Sequence, residues 1–423
     1  MKILVIGGGG REHALCAAIA RSAGVSEVVC APGNGGIAQV ARCVAASQKD
    51  VNDLLRVVGE EKPDLTVVGP ELPLSLGFAD EMKRRGLPVF GPTREAAMLE
   101  TSKGYAKRFM QRHNIPTASY AVCVSKEEAF GAVDLFHLPI VVKADGLAAG
   151  KGVLICESKE EAQRAILGLF NGQLLGTVES SVIIEEFLKG EELSFLVLSD
   201  GKHAARLVPA QDHKRIGEGD TGPNTGGMGV YTTDSMVEPK TSEWILSHVA
   251  QKAIDGMAAE EIPFVGVLYC GLMMTAKGPM VLEFNARFGD PETQAILPRL
   301  ESDLVPALQA CVEGRLSETE LRWKPGASAC VVAASEGYPG SYTVGQPISG
   351  LDAAAQVPGV AIYHAGTSLD DGQYRTAGGR VLGVTATGPD LRQALDAAYE
   401  AMSRISFPGM VYRRDIGHRA LRK

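Results

Sequence analysis

VLEFNARFGDPETQ, residues 281–294, reads as an apolar strand that carries Glu283, Asn285 and Arg287 at every second position and then turns through Gly289-Asp290-Pro291. Strand side chains alternate between faces, so residues two apart point the same way. A carboxylate, an amide oxygen and a guanidinium therefore converge. Such a trio suits a metal-bound polyphosphate: Mg²⁺ takes hard oxygen ligands and shares them with substrate phosphates, while a planar guanidinium stabilises charge on a transferring phosphoryl group. Alone, the pattern fits equally well an edge strand with a solvated polar face. The segments around it have to decide.

Upstream, Lys143 closes the apolar run Ile140-Val141-Val142 and precedes Asp145-Gly146-Leu147-Ala148-Ala149-Gly150-Lys151-Gly152-Val153. A glycine-rich hairpin between apolar strands can fold over phosphates and bond them through backbone N–H groups, with Lys143 as a point charge. It is not the P-loop pattern, which needs G-x-x-x-x-G-K-[ST] entering a helix. Glu185-Glu186-Phe187-Leu188 and Gly190-Glu191-Glu192-Leu193 join two further apolar strands. That connector can offer backbone groups to an adenine edge and the Glu192 carboxylate to ribose hydroxyls. Asp212-His213-Lys214-Arg215 then enters DHKRIGEGDTGPNTGGMGVY, residues 212–231, which holds six glycines. A loop of about 20 residues in a compact domain is more often functional than accidental, and it reads as a lid over a reactive intermediate. Each element also has a plain reading: a surface hairpin, an acidic loop, a solvated charge run.

Toward the N-terminus, ILVIG, EVVCA, LTVVGP and LPVFGP are short apolar strands, with a helix expected from about Arg11 to Ser22. Strands alternating with helices mean a doubly wound parallel sheet. Gly7-Gly8-Gly9-Gly10, between strand and helix, is where an anion sits on backbone N–H groups. A dinucleotide site would add an acid at the end of the second strand, about 20 residues on. That strand ends instead in Pro32-Gly33-Asn34, which argues against a nicotinamide cofactor. A substrate phosphate at Gly8, Gly9 and Gly10 fits better, with Asn34 and Glu71 at neighbouring strand ends. Thr93 and Ser102 can each cap a helix, so a hinge is expected around residues 93–103, just before Lys103. Beyond Trp323-Lys324-Pro325-Gly326 the last hundred residues read as a further α/β unit. The expected domains are 1–102, 103–325 with a small lid subdomain at about 120–190, and 326–423. Arg380, after Gly378-Gly379, faces a nucleotide or caps a turn.

The bulk numbers fit an ordinary globular protein of about two to four domains. A chain of 423 residues, 45% hydrophobic and 22% charged, can bury several cores, and its net charge of −8 argues against a broad nucleic-acid surface. Eight cysteines lie scattered without a C-x-x-C pair and read as buried thiols in a reducing compartment. No signal-length segment precedes the first strand, and no run of about 18 apolar residues occurs. The expectation is a cytoplasmic protein with neither a membrane nor a nucleic-acid partner.

In order, these elements resemble the ATP-grasp superfamily: a lysine at a domain hinge, a lysine with a glycine-rich hairpin, an E-E-F-L connector, and a late strand with Glu and Asn for metal. Within it, RFGDPETQ at 287–294 is similar to the signature of the phosphoribosylamine-glycine ligases. So are GGGGREHA at 7–14, PGNGG at 32–36, GPELPL at 69–74, KADGLAAGKGV at 143–153 and QDHKRIGEGDTGPNTGGMG at 211–229. The resemblance covers the whole chain. It implies a central ATP-grasp fold between an N-terminal doubly wound domain and a C-terminal α/β domain. The reaction implied joins glycine to 5-phosphoribosylamine through glycyl phosphate, giving glycinamide ribonucleotide, ADP and phosphate, with small molecules as the only partners and a monomer or dimer as the assembly.

The resemblance also implies roles. Lys103 and Lys143 would hold the ATP phosphates under the hairpin of Gly146, Gly150 and Gly152. Glu185, Phe187 and Leu188 would line the adenine, with Glu192 on the ribose. Glu283 and Asn285 would bind Mg²⁺ or Mn²⁺. Some superfamily members carry a further aspartate upstream, where this chain has Cys270 and Gly271, so a sparse metal set is expected. Arg287 would meet the transition-state charge, and Asp290 would orient the turn and the glycine ammonium. Pro291 and Glu292 would complete the substrate pocket with Gly8 to Gly10, Asn34 and Glu71. Asp212, Lys214 and the loop from Gly217 to Gly229 would close over phosphoribosylamine.

Overall fold

The computed structural model describes residues 1–146, 152–174, 176 and 179–422. In it the run at 281–294 begins as the strand Gly278–Asn285 and keeps its alternation past the strand end: Phe284, Ala286 and Phe288 are buried, whereas Glu283, Asn285 and Arg287 stay half-buried on the other side. The strand ends a four-stranded antiparallel sheet, ordered Ala204–Arg206, Glu191–Asp200, Val265–Thr275, Gly278–Asn285. A register shift at Leu282 makes it the extra residue of a bulge, since Gly271 faces Glu283 and Leu272 faces Val281.

Two layers flank that sheet. The N-terminal sheet is five-stranded and parallel, ordered Arg42–Cys43, Glu27–Pro32, Lys2–Gly7, Leu65–Val68, Val89–Phe90. Its strand order reverses beside Lys2–Gly7, which puts the glycine loop, Asn34 and Glu71 together at the carboxyl ends where ligands collect in such sheets. The first helix spans Gly10–Ala20, shorter at its end than the sequence suggests, because Arg21 already caps it. A smaller antiparallel sheet is ordered Tyr120–Cys123, Val182–Glu186, Ile140–Ala144, Val153–Cys156. Helices Lys126–Val133 and Lys159–Phe170 cover one face of it, where Ile140, Val142, Ala144 and Ile184 join Ala129, Ile166 and Leu169 in one core. The period of two then sends Lys143 and Glu185 to the opposite face.

The glycine-rich stretch at 212–231 is not the open loop that its composition suggests. Arg215–Gly217 and Thr221–Asn224 pair as a hairpin, and Gln211–Asp212 and Gly229–Thr233 enter the sheet of the last hundred residues beside Ala327–Ser335. That sheet continues through Arg380–Gly388 to Val360–His364, with helix Leu391–Arg404 packed on it. It therefore spans residue 326 rather than beginning there. The hairpin is moored to the C-terminal segment: the Arg413 guanidinium bonds Asp220 at 2.9 Å and the Arg215 carbonyl at 3.1 Å, and Gly219 N–H donates to Asp415. All eight cysteines are free thiols, and all but Cys43 are buried. Among the described residues no helix is long and apolar enough to cross a membrane.

Candidate active site

The site lies where the small sheet, the four-stranded sheet and the N-terminal sheet meet. Ser102 caps the helix Lys103–Arg112 by accepting from Tyr105 N–H at 3.1 Å. Asp145 ties that cap to the hairpin, accepting from Gly104 N–H at 3.2 Å and from the Ser181 hydroxyl at 2.8 Å. Lys103 Nζ donates to the Gly146 carbonyl at 2.7 Å, and Ala144 N–H to the Gly152 carbonyl at 2.8 Å. Gly150 lies outside the described residues. Burial lowers the Lys103 pKa although Glu283 favours its charge.

Lys143 Nζ, on the inner face of the small sheet, donates to Glu185 Oε2 at 2.9 Å and to the bulged Leu282 carbonyl at 3.3 Å. Lys107 Nζ reaches the same Glu185 oxygen at 3.1 Å and donates to Thr117 Oγ1 at 2.8 Å. The Glu185 carboxylate therefore sits buried between two lysines, which leaves the backbone of the connector as the part that can meet an adenine edge. A buried carboxylate must be neutralised, and this one is neutralised by cations from two elements. Phe187 and Leu188 are half-buried at the connector and keep apolar surface open. Lys107 escaped the sequence reading, yet it lies one helical turn after Lys103 on the same face, and that spacing was the signal. Burial pushes its pKa down to about 8 against the pull of Glu185.

Glu283 lies in a cationic environment. Burial opposes its ionisation, but Lys214, Lys143, Lys103 and Arg287 together hold its carboxyl below the ordinary value. Lys214 Nζ bridges Glu192 at 2.7 Å and Glu283 at 3.9 Å, and these two carboxylates keep the ammonium charged against burial. Across the sheet from Glu283 stands Gly271, whose added Cβ would lie 3.3 Å from the Glu283 Cγ. No carboxylate can act from that position. Among the described residues no three His, Cys, Asp or Glu side chains cluster as a metal site. One carboxylate and one amide oxygen, both hard donors, fit a divalent cation that takes its other ligands from phosphates and water.

Arg287 is more committed than its expected role of meeting transition-state charge requires. Its guanidinium pairs with Glu100 at 3.0 Å and Glu71 at 3.3 Å and donates to Asn285 Oδ1 at 3.4 Å. Burial works against its charge while Glu100 and Glu71 support it. Glu100 also accepts from Ala286 N–H at 2.6 Å. It went unnoticed in the sequence because an acid within Met98-Leu99-Glu100-Thr101 looks like a surface residue.

The glycine loop already holds a carboxylate. Glu12, 2% exposed, accepts from Gly9 N–H at 2.7 Å and from Arg11 Nε at 2.6 Å, and a Cβ on Gly69 would stand 2.1 Å from its Oε1. The Asn34 side chain serves the backbone of the loop: its amide donates to the Gly8, His364 and Ala365 carbonyls and its Oδ1 accepts from Gly36 and Ile37 N–H. Turn residue Glu292 is buried, with Oε1 accepting from Ser194 and Tyr269 hydroxyls at 2.9 Å each. Pro291 and Asp212 both face Gly227, whose Cβ would meet Pro291 Cδ at 2.4 Å and Asp212 Oδ1 at 2.7 Å. Burial and the neighbouring Glu292 raise the Asp212 pKa well above the ordinary value. Asp290 goes the other way: burial opposes its charge, and Arg380 and Arg11 prevail.

Sequence models of the phosphoribosylglycinamide synthetase family match the chain in three stretches: the N domain over residues 1–100, the ATP-grasp (A) domain over 101–293 and the C domain over 328–419. A phosphoribosylamine–glycine ligase of Xanthomonas axonopodis pv. citri is 49% identical over 426 residues, covering 100% of this chain and 98% of the relative. The crystal structure of phosphoribosylamine–glycine ligase from Thermotoga maritima superposes with a TM-score of 0.86 at 35% identity, covering 98% of this chain and 100% of that one. N5-carboxyaminoimidazole ribonucleotide synthetase from Thermotoga maritima shares the fold, with a TM-score of 0.64 at 20% identity over 96% of this chain and 99% of that one. A carboxylate beside lysines at the junction of these sheets, in a chain matched along its whole length, makes this protein a member of the phosphoribosylglycinamide synthetase family, an ATP-grasp ligase.

Proposed function

We propose that this site ligates glycine to 5-phosphoribosylamine in two displacements, with the lysines beside Glu283, Lys214 at 3.9 Å from it and Lys143 on the adjacent Leu282 carbonyl, as the observation that carries the reading. A glycine carboxylate oxygen bonds the γ-phosphorus of ATP as the bond to the β-phosphate bridging oxygen breaks, giving glycyl phosphate and ADP. The amine of phosphoribosylamine then bonds the acyl carbon, the carbon–oxygen bond to phosphate breaks, and the amine loses a proton. Phosphoryl transfer of this kind depends on positioning and charge neutralisation rather than on an enzyme nucleophile.

Lys103 and Lys143 neutralise the phosphate tail, and Phe187 and Leu188 offer apolar surface to the adenine with Glu192 near its ribose. Glu283 and Asn285 would hold a Mg²⁺ or Mn²⁺ ion, which when bound supplies charge to the β- and γ-phosphate oxygens. Arg287 steadies the Asn285 amide by donating to its oxygen. Asp290 stays ionised to meet the glycine ammonium. Asp212 accepts the amine proton, a role served by the upward shift that burial and Glu292 give it. Because Glu12 already fills the Gly9 donor, the phosphate of phosphoribosylamine is left the outer side of the glycine loop near Gly8 and Gly10.

Purified protein with Mg-ATP is expected to release ADP only when glycine and phosphoribosylamine, generated in place from ribose 5-phosphate and ammonia, are both present. Release driven by bicarbonate instead of glycine would move the chain to the carboxylating relatives that share its fold.

A further inference from the structure

Arg380 opens a strand of the C-terminal sheet, but its side chain leaves that sheet altogether. Nη1 donates to the Asp290 carbonyl at 2.8 Å and to the Gly226 carbonyl at 2.5 Å, and Nη2 pairs with Asp290 Oδ2 at 3.0 Å. These partners lie 90 and 154 residues away in sequence, so the guanidinium is not capping its own turn. Nor is it turned to the nucleotide end, where Lys103, Lys143 and Glu192 gather. Asp290's other oxygen accepts from Gln294 Nε2 at 2.7 Å, and its Oδ2 would stand 3.5 Å from a Cβ on Gly9. Gly226 is held from its other side by its N–H, which donates to the Tyr338 hydroxyl at 2.9 Å. A Cβ at residue 226 would lie 3.1 Å from Arg380 Cζ, so a side chain there would press on the fork.

We propose that Arg380 is a positioning residue: it fixes the Asp290 carboxylate relative to the Gly226-Gly227 backbone, so that the C-terminal sheet sets the geometry of the acceptor end of the site. The inference rests on the ligase reading and deepens it. A planar fork is what the job requires, since one guanidinium meets a carboxylate, its own main-chain carbonyl and a second carbonyl at fixed angles, and a lysine ammonium offers no such fork.

The test compares R380Q, R380K, D290N and the R380Q/D290N double variant with wild type, reading kcat/KM for glycine-dependent ADP release and the Kd for Mg-ATP by calorimetry. Misplacing an acceptor group costs about 100-fold in rate, so R380Q is expected to lose about that much while its Mg-ATP Kd stays within about twofold. R380K keeps the charge and guards against a variant that does not fold. It should recover only a minor part of the loss. Because Arg380 acts through Asp290, the double variant should be no slower than D290N alone. Losses that multiply in the double variant, an ATP affinity that falls in parallel, or an R380Q rate within about threefold of wild type would overturn the proposal. Wild-type ADP release that needs neither glycine nor the amine would instead bring down the ligase reading, and the same assays tell the two failures apart.

Discussion

Replacing Glu283 with glutamine lowers turnover by about 10²–10³-fold, the range for removing one group that balances charge in a transition state, and leaves the fold standing. The side chain caps no helix. Its backbone pairs across the sheet with Gly271 whichever side chain is present. The amide keeps the shape and a neutral oxygen but removes the negative charge that Lys214, Lys143, Lys103 and Arg287 hold ionised. Lys214 keeps Glu192 at 2.7 Å, so it is not left without a partner. Excess Mg²⁺ does not restore the rate, because a hard anionic ligand is missing and not merely underfilled. Steady-state rates across a Mg²⁺ series decide it: near-normal turnover at saturating metal would remove Glu283 from the metal's ligands.

Lys143→Ala is expected to raise the Kd for ATP at least about tenfold, which corresponds to about 1.4 kcal/mol. Lys143 is 6% exposed, pairs with Glu185 on the neighbouring strand of its own small sheet, and ties the strand Ile140–Ala144 to the four-stranded sheet through the Leu282 carbonyl. Removing one partner of a buried ion pair usually unbalances the other, but Lys107 remains at 3.1 Å from the same Glu185 oxygen. The loss therefore falls on phosphate binding more than on folding. Calorimetric titration with ATP measures it directly, and an unchanged Kd would break the assignment of Lys143 to the phosphates.

The parts of this molecule legible in the sequence are those with a period. Alternation along 281–288 placed Glu283, Asn285 and Arg287 on one face, and the structure keeps them there opposite Phe284, Ala286 and Phe288. The cap at Ser102 and the parallel N-terminal sheet follow from equally local rules. Long-range pairing is another matter. The stretch at 212–231 looks open because glycines carry no apolar pattern, yet it is held by strand partners and by Arg413, close to two hundred residues away. The site divides in the same way. Types and spacing proposed which lysines and carboxylates gather, but no local signal showed that Glu185 would be spent on two lysines, Arg287 on Glu71 and Glu100, or Asn34 on backbone carbonyls. Those assignments depend on which neighbours remain when three sheets meet.

The central claim is that the glycine carboxylate is activated by taking the γ-phosphoryl group of ATP. Glycine labelled with ¹⁸O in both carboxylate oxygens tests it most directly. One labelled oxygen should pass into inorganic phosphate at each turnover, with the other retained in the amide of glycinamide ribonucleotide. Phosphate free of label, with the lost oxygen appearing in water, would contradict the account.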